Sequence, residues 1–429
     1  MPEDTEYVQI GTATRGLQLH APITLTRRDR RRHLYIVGKT GTGKSTLLAN
    51  LMQADLAQGR GFALLDPHGD LAVAVADATP AWRIEHGVIY LDPSDLSHPV
   101  GFNPLNSVLP DQRPLVAAHV VAAFQHIWGN SWGPRLEYIL TNALRLLLDA
   151  PGSTLLGLPR LLADDAYRSR LLAHARDPLV RTFWQTEFAH YSDKYATEAI
   201  APIQNKVGTL LSPPAIRNML GQVRSTIDIR AIMDRGQVLI VNLGKGKLGE
   251  APTHLLGAFL ATAFAQAAEA RADVSEDERR DFTLYADEFQ HFATDSFATI
   301  LSEARKYRLA LVLAHQFLGQ LPDLLRQAVI GNAGSIVAFR LGAEDAPLIA
   351  RELGIENHLT LTDTANFRAW AKLMRDGVPI DATSVETLPP EPQDGSHFAA
   401  VQARSRARYA RSRTAVEEKI TRFLVSGDV

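Results

Sequence analysis

The sequence predicts an α/β protein, a mostly parallel sheet with helices on both faces that carries a phosphate-binding loop and is interrupted by an all-α domain. Three observations predict it. A glycine-rich loop, Gly38-Lys-Thr-Gly-Thr-Gly-Lys44-Ser45, stands between the apolar run Leu34 to Val37 and a helical pattern that starts at Thr46. Short β-type runs recur and are apolar almost throughout, which marks strands covered on both faces and hence a parallel sheet. Between the third and fourth runs, Asn106 to Arg235 changes to a helical pattern.

In chain order the runs are Leu34 to Val37, Phe62 to Leu65, Val88 to Leu91, Val238 to Leu243, Phe282 to Ala286, Leu309 to Ala314 and Ile336 to Phe339. Within the helical stretch Leu136, Ile139, Leu140, Ala143, Leu144 and Leu147 keep the spacing of one helix face. Pro151-Gly152, Pro159, Pro178 and Pro213-Pro214 punctuate it. Beyond Arg340 comes a mixed segment, then the linker Pro389-Pro390-Glu391-Pro392 and a helix-like tail with Val416, Ile420 and Phe423. The expected division is residues 1–105 and 236–388 for the two parts of the sheet domain, 106–235 for the inserted all-α domain, and 389–429 for the linker and basic tail.

A chain of 429 residues exceeds one ordinary core, and 46% apolar content suits a globular protein. No run approaches the roughly 18 uncharged apolar residues of a membrane span, and Leu255 to Ala270 reads as a buried helix. With no apolar leader, the expectation is a cytoplasmic protein without a span of its own. The absence of cysteine excludes disulfides, thiolate metal sites and cysteine nucleophiles, and the histidines form no metal-spaced pair. A net charge of −2 confines any attraction for nucleic acid to local patches. Arg27-Arg28-Asp29-Arg30-Arg31-Arg32 is one, and Arg404, Arg406, Arg408, Arg411 and Arg413 form another, each equally readable as a solvated face.

The chemistry starts at the loop. Gly38, Lys39, Thr40, Gly41, Thr42, Gly43, Lys44, Ser45 and Thr46 can turn successive backbone N–H groups around a polyphosphate at the positive end of the following helix. Lys44 reaches the β- and γ-phosphates, and the Ser45 hydroxyl can ligate Mg²⁺. The second motif, Leu284-Tyr285-Ala286-Asp287-Glu288, delivers two carboxylates at the end of an apolar strand. Asp287 is suited to the Mg²⁺ water shell, and Glu288 to orienting and deprotonating the water that attacks the γ-phosphate. The Asp-Glu pair and the lack of an Asn-Lys-x-Asp motif argue against a small GTPase.

One strand over, His315-Gln316 ends the run from Leu309. Gln316 is the expected sensor between γ-phosphate and water, with His315 structural. Arg305, within Glu303-Ala-Arg305-Lys306-Tyr-Arg308, is the first candidate for an arginine finger supplied by a neighbouring subunit, and Arg340 the second. Gly244-Lys-Gly246-Lys-Leu-Gly249 also fits the dinucleotide fingerprint, but the acid expected about 20 residues on at a strand end is missing. Lys245 and Lys247 in that loop are candidates for contacts to DNA phosphates or to a nucleotide across a subunit boundary, with a plain exposed turn as the alternative.

Taken in order, these segments resemble the HerA/FtsK class of hexameric DNA-pumping ATPases, and among them the TraD-like type IV coupling proteins of conjugative DNA transfer. The resemblance adds Leu65-Asp66-Pro67-His68-Gly69-Asp70-Leu71, Gly101-Phe-Asn-Pro-Leu105 and Trp132-Gly-Pro-Arg135 to the motifs above. It implies a RecA-like P-loop core with an all-α domain, ATP and Mg²⁺ at subunit boundaries, and DNA threaded through a ring. It assigns Lys44 and Ser45 to phosphate and metal, Asp287 and Glu288 to Walker B, Arg305 to the trans finger and Gln316 to the sensor. Partners of such a motor are DNA, further copies of the chain, and a secretion channel, relaxase or nuclease. The leading expectation is an ATP-driven DNA translocase whose pore loops follow Glu288 (Phe289 to Asp295) and Leu243. The rivals are an ATP-gated recruitment platform docking a DNA-processing partner through its helical insertion, and a motor that pumps protein. His68 and Asp70 gain no chemical role beyond a strand-end turn.

Overall fold

The computed structural model describes residues 6–15, 19–106, 108–390 and 396–426, so Glu391 and Pro392 of the linker lie outside the described residues. Its strands are β1 (Tyr7–Ala13), β2 (Pro22–Thr26), β3 (Leu34–Val37), β4 (Gly61–Asp66), β5 (Val88–Leu91), β6 (Val238–Asn242), β7 (Phe282–Ala286), β8 (Leu309–His315), β9 (Ser335–Ala338), β10 (Arg368–Lys372), β11 (Met374–Arg375), β12 (Val378–Pro379) and β13 (Thr383–Thr387). Eleven of them form one sheet in the order β2-β1-β13-β10-β9-β3-β8-β7-β4-β6-β5, while β11 and β12 pair as a separate ribbon.

From β9 to β5 every pairing is parallel. These are the strands the apolar runs predicted, and β3, β5, β6 and β7 are buried at every position. The other four are antiparallel additions along one side: β10 on β9, β13 on β10, β1 on β13 and β2 on β1. Their sequences carry no continuous apolar run, since exposed and half-buried positions interrupt the buried ones. In β10 only Ala369 and Ala371 are buried, and in β2 only Ile23 and Leu25.

The chain divides into two compact units. The sheet unit comprises Met1–Leu91, Ile229–Gly244 and Ala261–Ser405. Its helices include α1 (Arg27–Arg30), α2 (Lys44–Ala57) and α3 (Asp70–Asp77), and α2 buries Leu47, Leu48, Leu51, Met52 and Leu56. The helical unit comprises Asp92–Asp228, Lys245–Leu260 and Arg406–Val429. It opens with a helix at Arg113–Trp128, ahead of the Trp132-Gly-Pro-Arg135 motif. In its next helix, Pro134–Asp149, Leu136, Ile139, Leu140, Ala143, Leu144 and Leu147 are all buried. The tail forms the helix Arg413–Ser426, with Val416 and Ile420 buried. Among the described residues no helix is long and apolar enough to cross a membrane.

The basic run before β3 serves the fold. The Arg30 guanidinium is buried and donates to both Asp55 carboxylate oxygens at 2.6 and 2.7 Å and to the Tyr285 hydroxyl at 2.7 Å. That hydroxyl donates to Asp55 at 2.6 Å, so α1, α2 and β7 are tied by one closed network. Arg27 and Arg31 both donate to Asp281 at 2.7 Å. This accounts for three of the five arginines without any nucleic acid.

Candidate active site

The phosphate loop is seated between two strand ends. The Gly38 amide donates to the His315 carbonyl at the end of β8, and the Lys39 amide to the Arg340 carbonyl just past β9. Gly41 and Gly43 have φ of 74° and 120°, backbone that side chains resist, and a Cβ on Gly38 would lie 2.6 Å from that of Phe339. Thr42 closes the loop by donating its hydroxyl to the Lys39 carbonyl at 2.7 Å. Lys44 opens α2 with its ammonium donating to the Gly38 carbonyl at 2.6 Å. Burial lowers the Lys44 pKa while the nearby Glu288 and Asp287 carboxylates oppose that. Lys39, Thr40, Gly41 and Ser45 are exposed, as groups that meet a soluble polyphosphate must be.

Strand register brings the acids to the same edge. β7 lies between β8 and β4, and its end presents Asp287 and Glu288, both buried. The Asp287 amide donates to the Leu65 carbonyl of β4, which puts Asp287 beside Asp66. Burial, then Glu288 and Asp66, push the Asp287 carboxyl up to about 7, with Lys44 opposing. A carboxyl so poor in positive neighbours fits a divalent cation. Among the described residues no group of three or more His, Asp or Glu is arranged to hold a metal by itself. Mg²⁺ in nucleotide sites takes one or two protein ligands and completes its shell with phosphate oxygens and water. Asp287 and the Ser45 hydroxyl would supply those ligands.

Glu288 is gripped on both oxygens: the Gln316 amide donates to one at 3.1 Å and the Gln290 amide to the other at 2.9 Å. Its φ is 45°, a left-handed backbone that costs a non-glycine residue on the order of 1 kcal/mol and concentrates at functional sites. His315 is fully buried with its ring against Tyr35 and Phe289, and Tyr35 reaches its Nδ1 at 3.3 Å. Burial, then the Lys44 charge, hold its pKa down at about 3, so the ring is neutral.

The other predicted residues fall elsewhere. Arg305 is exposed in a helical turn, Ala304–Tyr307, that precedes β8, at the edge of the sheet opposite the phosphate loop. Arg340 sits at the loop itself, joined through its carbonyl to Lys39. Lys245 and Lys247 are both exposed in the short helix Lys245–Leu248. The segment after Glu288 is folded in: Phe289, Phe292, Ala293 and Thr294 are buried.

Two residues that belong to the motifs of the resemblance, Asp66 and Gln290, were given no role by the sequence. Asp66 accepts from the amides of His68 at 2.9 Å and Ala72 at 2.8 Å, tying off the turn into α3 while its charge acts on Asp287. The spacing Asp66-x-His68 signals that turn, but not the neighbouring strand. Gln290 closes the motif Ala286-Asp-Glu-Phe-Gln290, and its contact with Glu288 supplies the role that the motif alone does not.

A family model described as the central domain of the helicase HerA matches residues 8–261. Among solved structures, the unbound bacterial conjugative coupling protein TrwB has a TM-score of 0.63 at 15% identity, covering 92% of this chain and 91% of that one. TrwB in complex with ADP and Mg²⁺ gives 0.59 at 15% identity, with 92% and 97% covered. VirB4 of Thermoanaerobacter pseudethanolicus gives 0.61 at 13% identity, with 91% and 99% covered. No curated protein matches. At these identities the structural likeness concerns the fold. The family model spans more than half of the chain and includes the phosphate loop, and by it this protein belongs to the HerA family of P-loop ATPases.

Proposed function

We propose that the protein hydrolyses ATP with Mg²⁺ at a site shared between two copies of the chain, and that a ring of such copies, six by family resemblance, uses the energy to move DNA. The observation that carries this reading is the separation of Arg305 from the phosphate loop. Arg305 precedes β8 and Gln316 follows it, and a seven-residue strand spans roughly 23 Å. A guanidinium there cannot reach its own γ-phosphate, so as a finger it acts on a neighbour's. In each copy Lys44 and the loop amides hold the phosphates, and Glu288, aimed by Gln316 and Gln290, takes the proton of the attacking water; Mg²⁺ held by Ser45 and Asp287 would supply charge neutralisation.

Lys245 and Lys247 support a DNA contact of the backbone type, positioning without reading bases. The deciding experiment is ATP turnover with and without DNA, run beside particle mass in a non-hydrolysed ATP analogue. Stimulation by DNA together with a nucleotide-dependent ring is the expected result. A monomer under every nucleotide, or turnover indifferent to DNA, defeats the reading.

The recruitment platform has its own observation, since Leu109, Leu115, Tyr138 and Leu179 of the helical unit are exposed at 45 to 72%. Slow hydrolysis unaffected by DNA, with partner binding that differs between ATP and ADP, would favour it. The expected domain division, 106–235 inserted between 1–105 and 236–388, assigns that docking role to the insertion.

A further inference from the structure

Phe367 is the unexplained residue beside the site. It has φ of 61° and yet its ring is 48% exposed, so no core packing accounts for the strained backbone. The Arg368 amide donates to the Ala365 carbonyl, which makes a turn with Phe367 third. Glycine or asparagine is the ordinary occupant of a position with positive φ, and a phenylalanine there signals that its side chain is used. The Phe367 amide donates to the Thr42 carbonyl inside the phosphate loop at 2.8 Å, and its own carbonyl accepts from the Thr387 amide and hydroxyl. A Cβ placed on Gly43 would come within 3.1 Å of the ring, so the ring lies against the loop.

The order of strands gives the side on which a nucleotide's base leaves. Asp287, Glu288 and Gln316 end β7 and β8, on one flank of β3, and they fix where the γ-phosphate points. On the nucleotide-binding reading above, a γ-phosphate directed at those residues leaves the other flank, toward β9 and β10, for the nucleoside, and Phe367 immediately precedes β10. Behind that space Asn50 of α2 donates to the carbonyls of both Leu388 and Pro389, at 3.0 and 3.1 Å, and fixes the adjoining segment.

We propose that Phe367 is a stacking platform for the nucleobase of the bound nucleotide, and that it accepts purines without distinguishing them. This rests on the nucleotide-binding reading above. Stacking uses the π-face, which every base has, and so confers affinity with little selectivity.

Calorimetric titration of the full chain with ADP, GDP and inorganic triphosphate tests it, using wild type, Phe367→Ala and Phe367→Gly. Glycine suits the left-handed backbone, so that variant keeps the turn while losing the ring. The expected result is that both variants bind ADP and GDP about tenfold more weakly, the scale of one lost base–aromatic stack, with triphosphate affinity unchanged. Undiminished ADP binding in both variants overturns the proposal, as does an equal loss of triphosphate binding, which would make the ring a brace for the loop. Wild type that strongly prefers ADP to GDP overturns the purine tolerance. Wild type that binds neither nucleotide nor triphosphate overturns the nucleotide reading itself, and the platform with it.

Discussion

The Gln316 amide lies 3.1 Å from the Glu288 carboxylate and donates to it across the β7–β8 boundary. In the proposed mechanism this contact aims the base, so loss of Gln316 falls on the chemical step. Gln316→Ala is therefore expected to lower kcat by on the order of a hundredfold, and Glu288→Gln by up to about ten-thousandfold, the range of general-base catalysis. ATP affinity stays near wild type in both. Single-turnover phosphate release beside equilibrium ATP binding checks this, and an ATP-binding defect in Gln316→Ala equal to its rate defect refutes it.

Arg305 and Lys44 lie at opposite ends of the parallel strands, and in the proposed ring they serve the sites of different copies. Arg305→Ala is expected to bind ATP and not turn it over, and Lys44→Ala to fail to bind. Mixed together, they restore turnover at boundaries that pair an intact finger with an intact loop. Absence of recovery in a mixture that co-assembles by mass refutes a finger acting in trans.

Asp287 sets a pH dependence of stability in the metal-free protein. Its carboxyl titrates near 7 when folded, against an ordinary value of 3.8. Between these values the folded state holds more protons than the unfolded one, so this group's contribution to stability falls as pH rises toward 7. Asp287→Asn is expected to raise the melting temperature at pH 8 without Mg²⁺, with the gain shrinking as pH is lowered toward 4. Thermal unfolding across that range is the check, and a variant less stable than wild type at pH 8 contradicts it.

The Arg30–Asp55 pair is buried, and Arg60 lies 3.5 Å from the same carboxylate, so loss of Arg30 leaves Asp55 with one weaker cationic partner. Arg30→Ala is expected to cost about 3 kcal/mol, the low end for a broken buried pair, and replacing both Arg30 and Asp55 with apolar residues of similar volume considerably less. Urea denaturation of the single and double variants measures both, and simple additivity would show that the two residues do not act as a unit.

How much of this was legible followed from periodicity. A strand buried on both faces announces itself, so β3 to β9 stood out within a residue or so of their ends, and the residues they deliver, Lys44, Asp287, Glu288 and Gln316, came with them. β1, β2, β10 and β13 show water one face, and their short alternation resembles that of loops. Phe367 was missed for the same reason: its meaning lies in a backbone angle and in a neighbour, Thr42, more than three hundred positions earlier. The part that Arg27, Arg30 and Arg31 play in the fold was not legible, because composition displays charge while their partners Asp55, Asp281 and Tyr285 lie elsewhere in the chain.

The pairing of β1 with β13, in which Gly11 faces Thr387, has a bearing on biosynthesis. Among the described residues the β1–β2 hairpin joins the sheet through β13, a strand far later in the chain. Until Thr383–Thr387 has emerged from the ribosome, that hairpin offers an unpaired edge to any passing chain. Slow synthesis of the stretch between the two would lengthen that exposure.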